Sequence, residues 1–152
     1  MRNDAYYMSL AIKEAFKAKD LDEVPVGAII VKDNKVISKG YNLREKDNSV
    51  ISHAEINAIK KANKKLKSWR LEECTLYVTL EPCIMCAGAI IQSRFKRVVF
   101  GTRDPKGGAF VSSIDVQKAD NLNWKVEITE GVLQEECSLI LKEYFKEKRN
   151  KK

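Results

Sequence analysis

The stretch that decides the fold is residues 75–101: Thr75-Leu76-Tyr77-Val78-Thr79-Leu80, then Glu81-Pro82-Cys83-Ile84-Met85-Cys86-Ala87-Gly88-Ala89-Ile90-Ile91-Gln92, then Arg97-Val98-Val99-Phe100-Gly101. The first run is short and rich in β-formers, so it reads as a strand. Cys83 to Gln92 reads as a helix. Pro82 sits just before or at its first position, where a missing N–H costs little. Arg97 to Gly101 is the next strand. Strand, helix and strand in this order require a parallel crossover, right-handed by rule.

Upstream, Met8, Ile12, Ala15 and Phe16 recur at helical spacing and predict a helix over 4–19. Val26 to Val31 is an apolar run, Asp33-Asn34 a tight hairpin turn, and Lys35 to Tyr41 the returning strand. Asn42 to Ser52 is polar and aperiodic, a loop. From His53, the residues Ile56, Ile59, Ala62 and Leu66 mark a helix with a Lys-rich outer face. Downstream, Gly107-Gly108 marks a turn, and 109–123 is a short helix or an irregular segment. Lys125 to Thr129 alternates as a strand. Leu133, Cys137, Ile140, Leu141 and Tyr144 form a helical stripe running to near Arg149. The order α-β-β-α-β-α-β-β-α implies an α/β fold, a mixed sheet with helices on both faces. With no repeat, low-complexity tract or linker, residues 1–152 read as one domain ending in a basic helical tail at about 133–152.

Composition narrows the function classes. Apolar residues make up 44%, which excludes a disordered chain. No apolar run approaches the roughly 18–20 residues of a membrane span. Met1 to Tyr6 lacks the apolar core of a signal peptide, so a cytoplasmic protein is expected. The net charge of +7 invites a polyanion such as RNA, although 21 of the 28 basic residues are Lys and a solvated surface would look the same. Six basic residues lie between Lys142 and Lys152 against two acidic ones.

The four cysteines in a reducing compartment point to metal or redox chemistry. Cys74, opening a strand, and Cys137, on an apolar helix face, read as buried core thiols. Cys83 and Cys86, three apart at a helix start, can turn both sulfurs to one ion, and the helix N-terminus favours their thiolate form. With His53, the sole histidine, they make three ligands for tetrahedral zinc and leave a fourth position for water. A closed structural site would need Cys74, Cys137 or a carboxylate as the fourth. Soft thiolates favour zinc over harder divalent ions. Two thiolates and a neutral imidazole balance the ion, so the pKa of a bound water can fall from ~15.7 to about 7. Glu55, two residues from His53, is placed to move that water's proton to a ring nitrogen and then to a leaving amine. Cys-x-x-Cys alone also fits a zinc knuckle or a redox pair. Joined to His-x-Glu, with Pro before the first Cys, it is the zinc-deaminase pattern.

On these residues the chain resembles the bacterial tRNA adenosine deaminases of the zinc cytidine-deaminase superfamily. Further segments carry the resemblance: Glu23-Val24-Pro25-Val26-Gly27-Ala28, Trp69-Arg70-Leu71, Ala87-Gly88-Ala89-Ile90, Val98-Val99-Phe100-Gly101, Asp104-Pro105-Lys106-Gly107-Gly108 and Gly131-Val132-Leu133. It runs from about residue 4 to 149. It implies a three-layer α-β-α cytidine-deaminase-like fold with a five-stranded mixed sheet, a homodimer, and one Zn²⁺ per subunit held by His53, Cys83 and Cys86. It implies conversion of adenosine to inosine at the wobble position of a tRNA anticodon, typically an arginine tRNA, with Glu55 as proton shuttle. Asn42 would hydrogen-bond the flipped nucleotide, and backbone groups near Ala54 and Pro82–Cys83 would complete the pocket. Asp104, Lys106, Asn123, Phe145 and Arg149 would grip the anticodon stem-loop.

The chain departs from the family pattern at Val50-Ile51-Ser52, at Ala109 to Ile114, and at Trp124, which stands where a histidine is common and would stack on a base or cover the sheet edge. Two other readings share the zinc pattern. One is a deaminase of a free base or nucleoside of guanine or cytidine type. The other is a non-enzymatic RNA-binding module with a structural zinc.

Overall fold

The computed structural model describes residues 2–150. Met1 and the last two basic residues of the expected tail, Lys151 and Lys152, lie outside them. The elements are α1 (Asp4–Asp20), β1 (Gly27–Lys32), β2 (Lys35–Tyr41), α2 (Ala54–Leu66), β3 (Cys74–Leu80), α3 (Ile84–Gln92), β4 (Arg97–Thr102), a 3-10 turn (Val116–Lys118), β5 (Glu127–Glu130) and α4 (Gln134–Asn150).

The sheet order is β2-β1-β3-β4-β5. β1 pairs antiparallel with both β2 and β3, whereas β3–β4 and β4–β5 are parallel, as the strand–helix–strand reading requires. Asp33 and Asn34 both take positive φ, which bends the β1–β2 hairpin with the hand the strands need. The strands alternate. Ala28, Ile30, Leu76, Val78, Val98 and Phe100 pack into the layer of α2 and α3. Ile29, Val31, Tyr77 and Val99 pack into the layer of α1 and α4, with Tyr7, Met8, Ala11 and Cys137. Burial on both faces explains why the central strands read as unbroken apolar runs.

Two details differ from the sequence reading, at α1 and at β5, and between them the structure decides one alternative it left open. Phe16 is exposed, and the buried stripe of α1 runs instead through Met8, Ala11, Ala15 and Ala18. Residues 109–123 are irregular apart from the 3-10 turn, which Asp115 caps by accepting from Gln117 N–H at 2.9 Å. The last strand begins at Glu127, not Lys125. The Gln117 carboxamide takes both backbone groups of Val126, accepting its N–H at 2.7 Å and donating to its carbonyl at 3.0 Å. No helix among the described residues is long and apolar enough to cross a membrane.

Candidate active site

The site forms where β3 and β4 end. Leu80 pairs with Thr102 there, and Glu81 N–H donates to the Thr102 carbonyl at 2.9 Å. The start of β1 reaches the same end, since Gly27 N–H donates to Thr79 Oγ1 at 3.2 Å and Gly27 pairs with Tyr41. Two helices begin here. His53 is the N-cap residue of α2 and Cys83 that of α3, and neither side chain makes a capping hydrogen bond. Residues that usually cap supply a side-chain oxygen to the first N–H groups. Here the two side chains turn to each other instead. Cys83 Sγ lies 3.7 Å and Cys86 Sγ 3.6 Å from His53 Nδ1.

Among the described residues these three form the group able to hold a metal ion, with their donor atoms within 4.8 Å of one another. Zinc–sulfur and zinc–nitrogen bonds of ~2.3 and ~2.0 Å at a tetrahedral angle place sulfur and nitrogen about 3.5 Å apart. The observed separations fit that ion. Cys74 and Cys137 are fully buried and stand elsewhere. Cys74 opens β3, six residues before Leu80 and so roughly 20 Å along the strand. Cys137 packs on Gly101, where an added Cβ would come within 2.3 Å of its sulfur. Neither is part of the group, so the closed four-ligand site that would need one of them is not built.

The electrostatics concentrate on the same atoms. The hydrogen bond from Cys86 brings the Cys83 thiol down to about 4; burial opposes this and His53 assists. The Cys86 thiol is raised above its ordinary value by its bond to Cys83 and by burial. His53 is raised, chiefly by its bond with Cys83. Glu55 lies in the first turn of α2 and is only 4% exposed. Burial pushes its carboxyl up to about 7, against its backbone hydrogen bonding and the charge of His53. A carboxyl titrating near neutrality can both take and release a proton there.

The remaining expected residues fall into three places. Asn42 is buried just past β2, where its amide donates to the Val24 carbonyl and accepts from Arg44 N–H, each at 3.2 Å. Ala54 and Pro82 are buried beside His53 and Cys83, and the Pro82 carbonyl accepts from Ala109 N–H at 2.9 Å. Asp104 accepts from Lys106 and Gly107 N–H, each at 3.2 Å, and so shapes its own turn, while Lys106 is exposed. Phe145 and Arg149 are exposed on α4 and share a groove with Thr102, Arg103 and Lys142 at the ends of β4 and α4. Asn123 stands apart, in a groove with Trp69, Gln92 and Arg94 at the far end of α3 from Cys83. Trp124 is half-buried against the core, its indole donating to the Phe95 carbonyl at 2.8 Å.

Sequence reasoning assigned nothing to two buried carboxylates beside this site. Glu23 accepts from Glu45 and Lys46 N–H, at 3.1 and 2.7 Å, and ties down the 42–52 loop. Glu81 does the same for 104–112. The signal was an acidic residue at an apolar strand entry or exit, just ahead of a Val-Pro or Pro-Cys step.

A three-layer sheet that presents a His/Cys/Cys group at two helix starts defines a deaminase-type protein, and the sequence pattern of the MafB19-like deaminase family matches residues 2–149. A tRNA-specific adenosine deaminase of Bacillus subtilis (strain 168) is 48% identical over 152 residues, covering 100% of this chain and 94% of that protein. A solved structure from a study of A-to-I editing by tRNA:A34 deaminases at the wobble position of transfer RNA superposes with a TM-score of 0.87 at 40% identity, over 90% of this chain and 99% of that one. Guanine deaminase from Bacillus subtilis superposes with 0.64 at 30% identity, over 74% of this chain and 83% of that one. The chain belongs to the family of tRNA-specific adenosine deaminases.

Proposed function

We propose that this protein is a zinc-dependent hydrolase that converts adenosine to inosine at the wobble position of a tRNA anticodon, with an arginine tRNA as the expected substrate. The observation that carries the chemistry is the buried Glu55 carboxyl in the first turn of α2, two residues from His53 in the His53, Cys83 and Cys86 group. A zinc ion held by His53, Cys83 and Cys86 would make hydroxide available from water at neutral pH. Glu55 takes one proton from the attacking water and delivers it to the purine ring nitrogen, where it stays; it then carries the second proton, from the hydroxyl added to the ring carbon, to the departing amine, so that adenosine and water become inosine and ammonia.

The attacked carbon is shielded in a stacked base, so the nucleotide must be turned out into the pocket. Asn42 hydrogen-bonds the flipped nucleotide, its amide held in orientation by Val24 and Arg44. Backbone groups near Ala54 and Pro82–Cys83 complete the pocket. Asp104, Lys106, Phe145 and Arg149 grip the anticodon loop, with Phe145 offering a ring face to an unstacked base. Asn123, across α3, serves RNA that passes that side. A homodimer agrees with the exposure of Trp69 and Ile84 around α3. The protein is read as a single domain working in the cytoplasm.

The rival reading, deamination of a free base, is disfavoured by the full-length likeness to tRNA-specific deaminases and by the basic end of α4. Incubation with anticodon stem-loops, free nucleosides and guanine separates the two. Inosine is expected in the stem-loop. Activity confined to the free compounds would overturn the proposal, and zinc binding with no turnover of any of them would favour a non-enzymatic RNA-binding module.

A further inference from the structure

The Glu81 side chain is 2% exposed, yet it is not one of the metal-capable group. Its two oxygens are occupied by a single loop. Oε1 accepts from Asp104 N–H at 3.1 Å and from the Ser112 hydroxyl. Oε2 accepts from Phe110 N–H at 3.2 Å, Val111 N–H at 2.8 Å and Ser112 N–H at 3.0 Å. An ionised carboxylate offers about four lone-pair sites and no donor, so donors of the 104–112 stretch saturate it.

The same carboxylate explains Gly108. A Cβ there would lie 2.3 Å from the Glu81 carboxyl carbon, so the loop wraps the acid too closely for any side chain. Glu81 is also rigid at its own base, through its N–H bond to Thr102. Two residues on stands Cys83, and the Pro82 carbonyl between them holds Ala109 N–H at 2.9 Å. The loop and the turn that carries the first thiol are therefore fastened to each other twice.

We propose that Glu81 is a positioning residue for the RNA substrate: by gathering the donors of residues 104–112 it sets that loop as the wall beside Cys83 against which the RNA strand is held. This rests on the tRNA-deaminase reading above. Replacing Glu81 by Gln keeps the shape but turns an NH₂ donor toward groups that are themselves donors, so one side of the clamp loses its acceptor. Replacing Ser112 by Ala removes one hydroxyl and leaves the carboxylate and the backbone donors in place.

The test compares zinc-loaded wild type, Glu81→Gln and Ser112→Ala on an anticodon stem-loop, with zinc content and amide hydrogen exchange of 104–112 measured on the same samples. In Glu81→Gln the expected result is unchanged zinc, faster exchange at Val111 and Ser112, a KM raised about tenfold, and kcat within about threefold of wild type. Ser112→Ala shifts KM the same way by about two- to threefold. A kcat loss at constant KM, zinc loss, or unchanged exchange with unchanged KM would overturn the proposal. Should Glu81→Gln fail to fold, Ser112→Ala decides, and an unchanged KM there overturns it. A wild type that makes no inosine sinks the deaminase reading and this inference with it. An active wild type with unmoved variants sinks the inference alone.

Discussion

Nδ1 of His53 stands 3.6 Å from Sγ of Cys86, across 33 residues of chain. Two helix starts create this contact. α2 follows the hairpin β1–β2, α3 follows β3, and β1 pairs with both β2 and β3, so the sheet delivers both helix N-termini to one end. The positive ends of two helices then face this group, in keeping with the lowered Cys83 thiol, whose anionic form binds a metal.

Substitution of the group should therefore separate from substitution of the other thiols. Cys83→Ser, Cys86→Ser and His53→Ala should each weaken zinc binding by at least about tenfold, read by chelator competition. Cys137→Ser should keep wild-type zinc content. It should lower stability by about 1–3 kcal/mol in urea denaturation, because a hydroxyl replaces a buried thiol with no partner in view. Loss of zinc from Cys137→Ser would revive a closed structural site.

At the opposite end of the sheet, Asp4 clasps Arg97. Its carboxylate accepts from the two terminal guanidinium nitrogens, at 2.9 and 2.6 Å, and from the Tyr77 hydroxyl at 2.8 Å. The Arg97 bond holds the Asp4 carboxyl below its ordinary value, while burial pulls the other way. A carboxyl lowered by folding stabilises above its unfolded pKa of about 3.9 and loses that contribution as pH falls through the folded value. Asp4→Asn should cost on the order of 1–2 kcal/mol at pH 7. The denaturation curves of variant and wild type should converge as the solution is acidified below that range. A deficit that stays constant into strong acid would contradict the assignment.

The seat of α1 on the sheet is a steric matter. A Cβ on Gly27 would come within 2.0 Å of the Ala11 carbonyl oxygen and 2.4 Å of Ala15 N, both backbone atoms. Backbone cannot swing aside as a side chain does, so Gly27→Ala should destabilise by about 3 kcal/mol or more. Thermal unfolding within a degree of wild type would show that the helix rides more loosely than described.

On α4, Lys142, Phe145 and Arg149 face solvent near Arg103. If this groove carries RNA, Arg149→Ala should weaken stem-loop binding. It should also flatten the plot of log affinity against log salt by about 0.7 for each phosphate that the guanidinium neutralises. Phe145→Ala should weaken binding with the salt slope unchanged, because a stacked ring releases no counterion. Equal slopes for wild type and Arg149→Ala would remove this face from the RNA path.

Much of this was legible in the sequence because the signals were local. Pro82 ahead of Cys83, the 75–80 and 97–101 runs, and the Asp33-Asn34 turn each announce structure within a few residues. The His53, Cys83 and Cys86 group followed from spacing and chemistry. Past the Gly107-Gly108 turn the path to β5 was only partly legible, because side chains distant in sequence satisfy its backbone. The Glu81 carboxylate reaches 31 residues to Ser112, and the Gln117 amide stands in for a strand partner of Val126. Periodicity carries no trace of such bonds.

The most direct measurement is inosine formation on an anticodon stem-loop by zinc-loaded wild type and Glu55→Ala, with zinc per chain counted in the same samples. The expected result is one zinc per chain in both and inosine from the wild type alone, the variant falling by about 10²-fold or more. Turnover by Glu55→Ala at the wild-type rate, or a fully loaded wild type that makes no inosine, would contradict it.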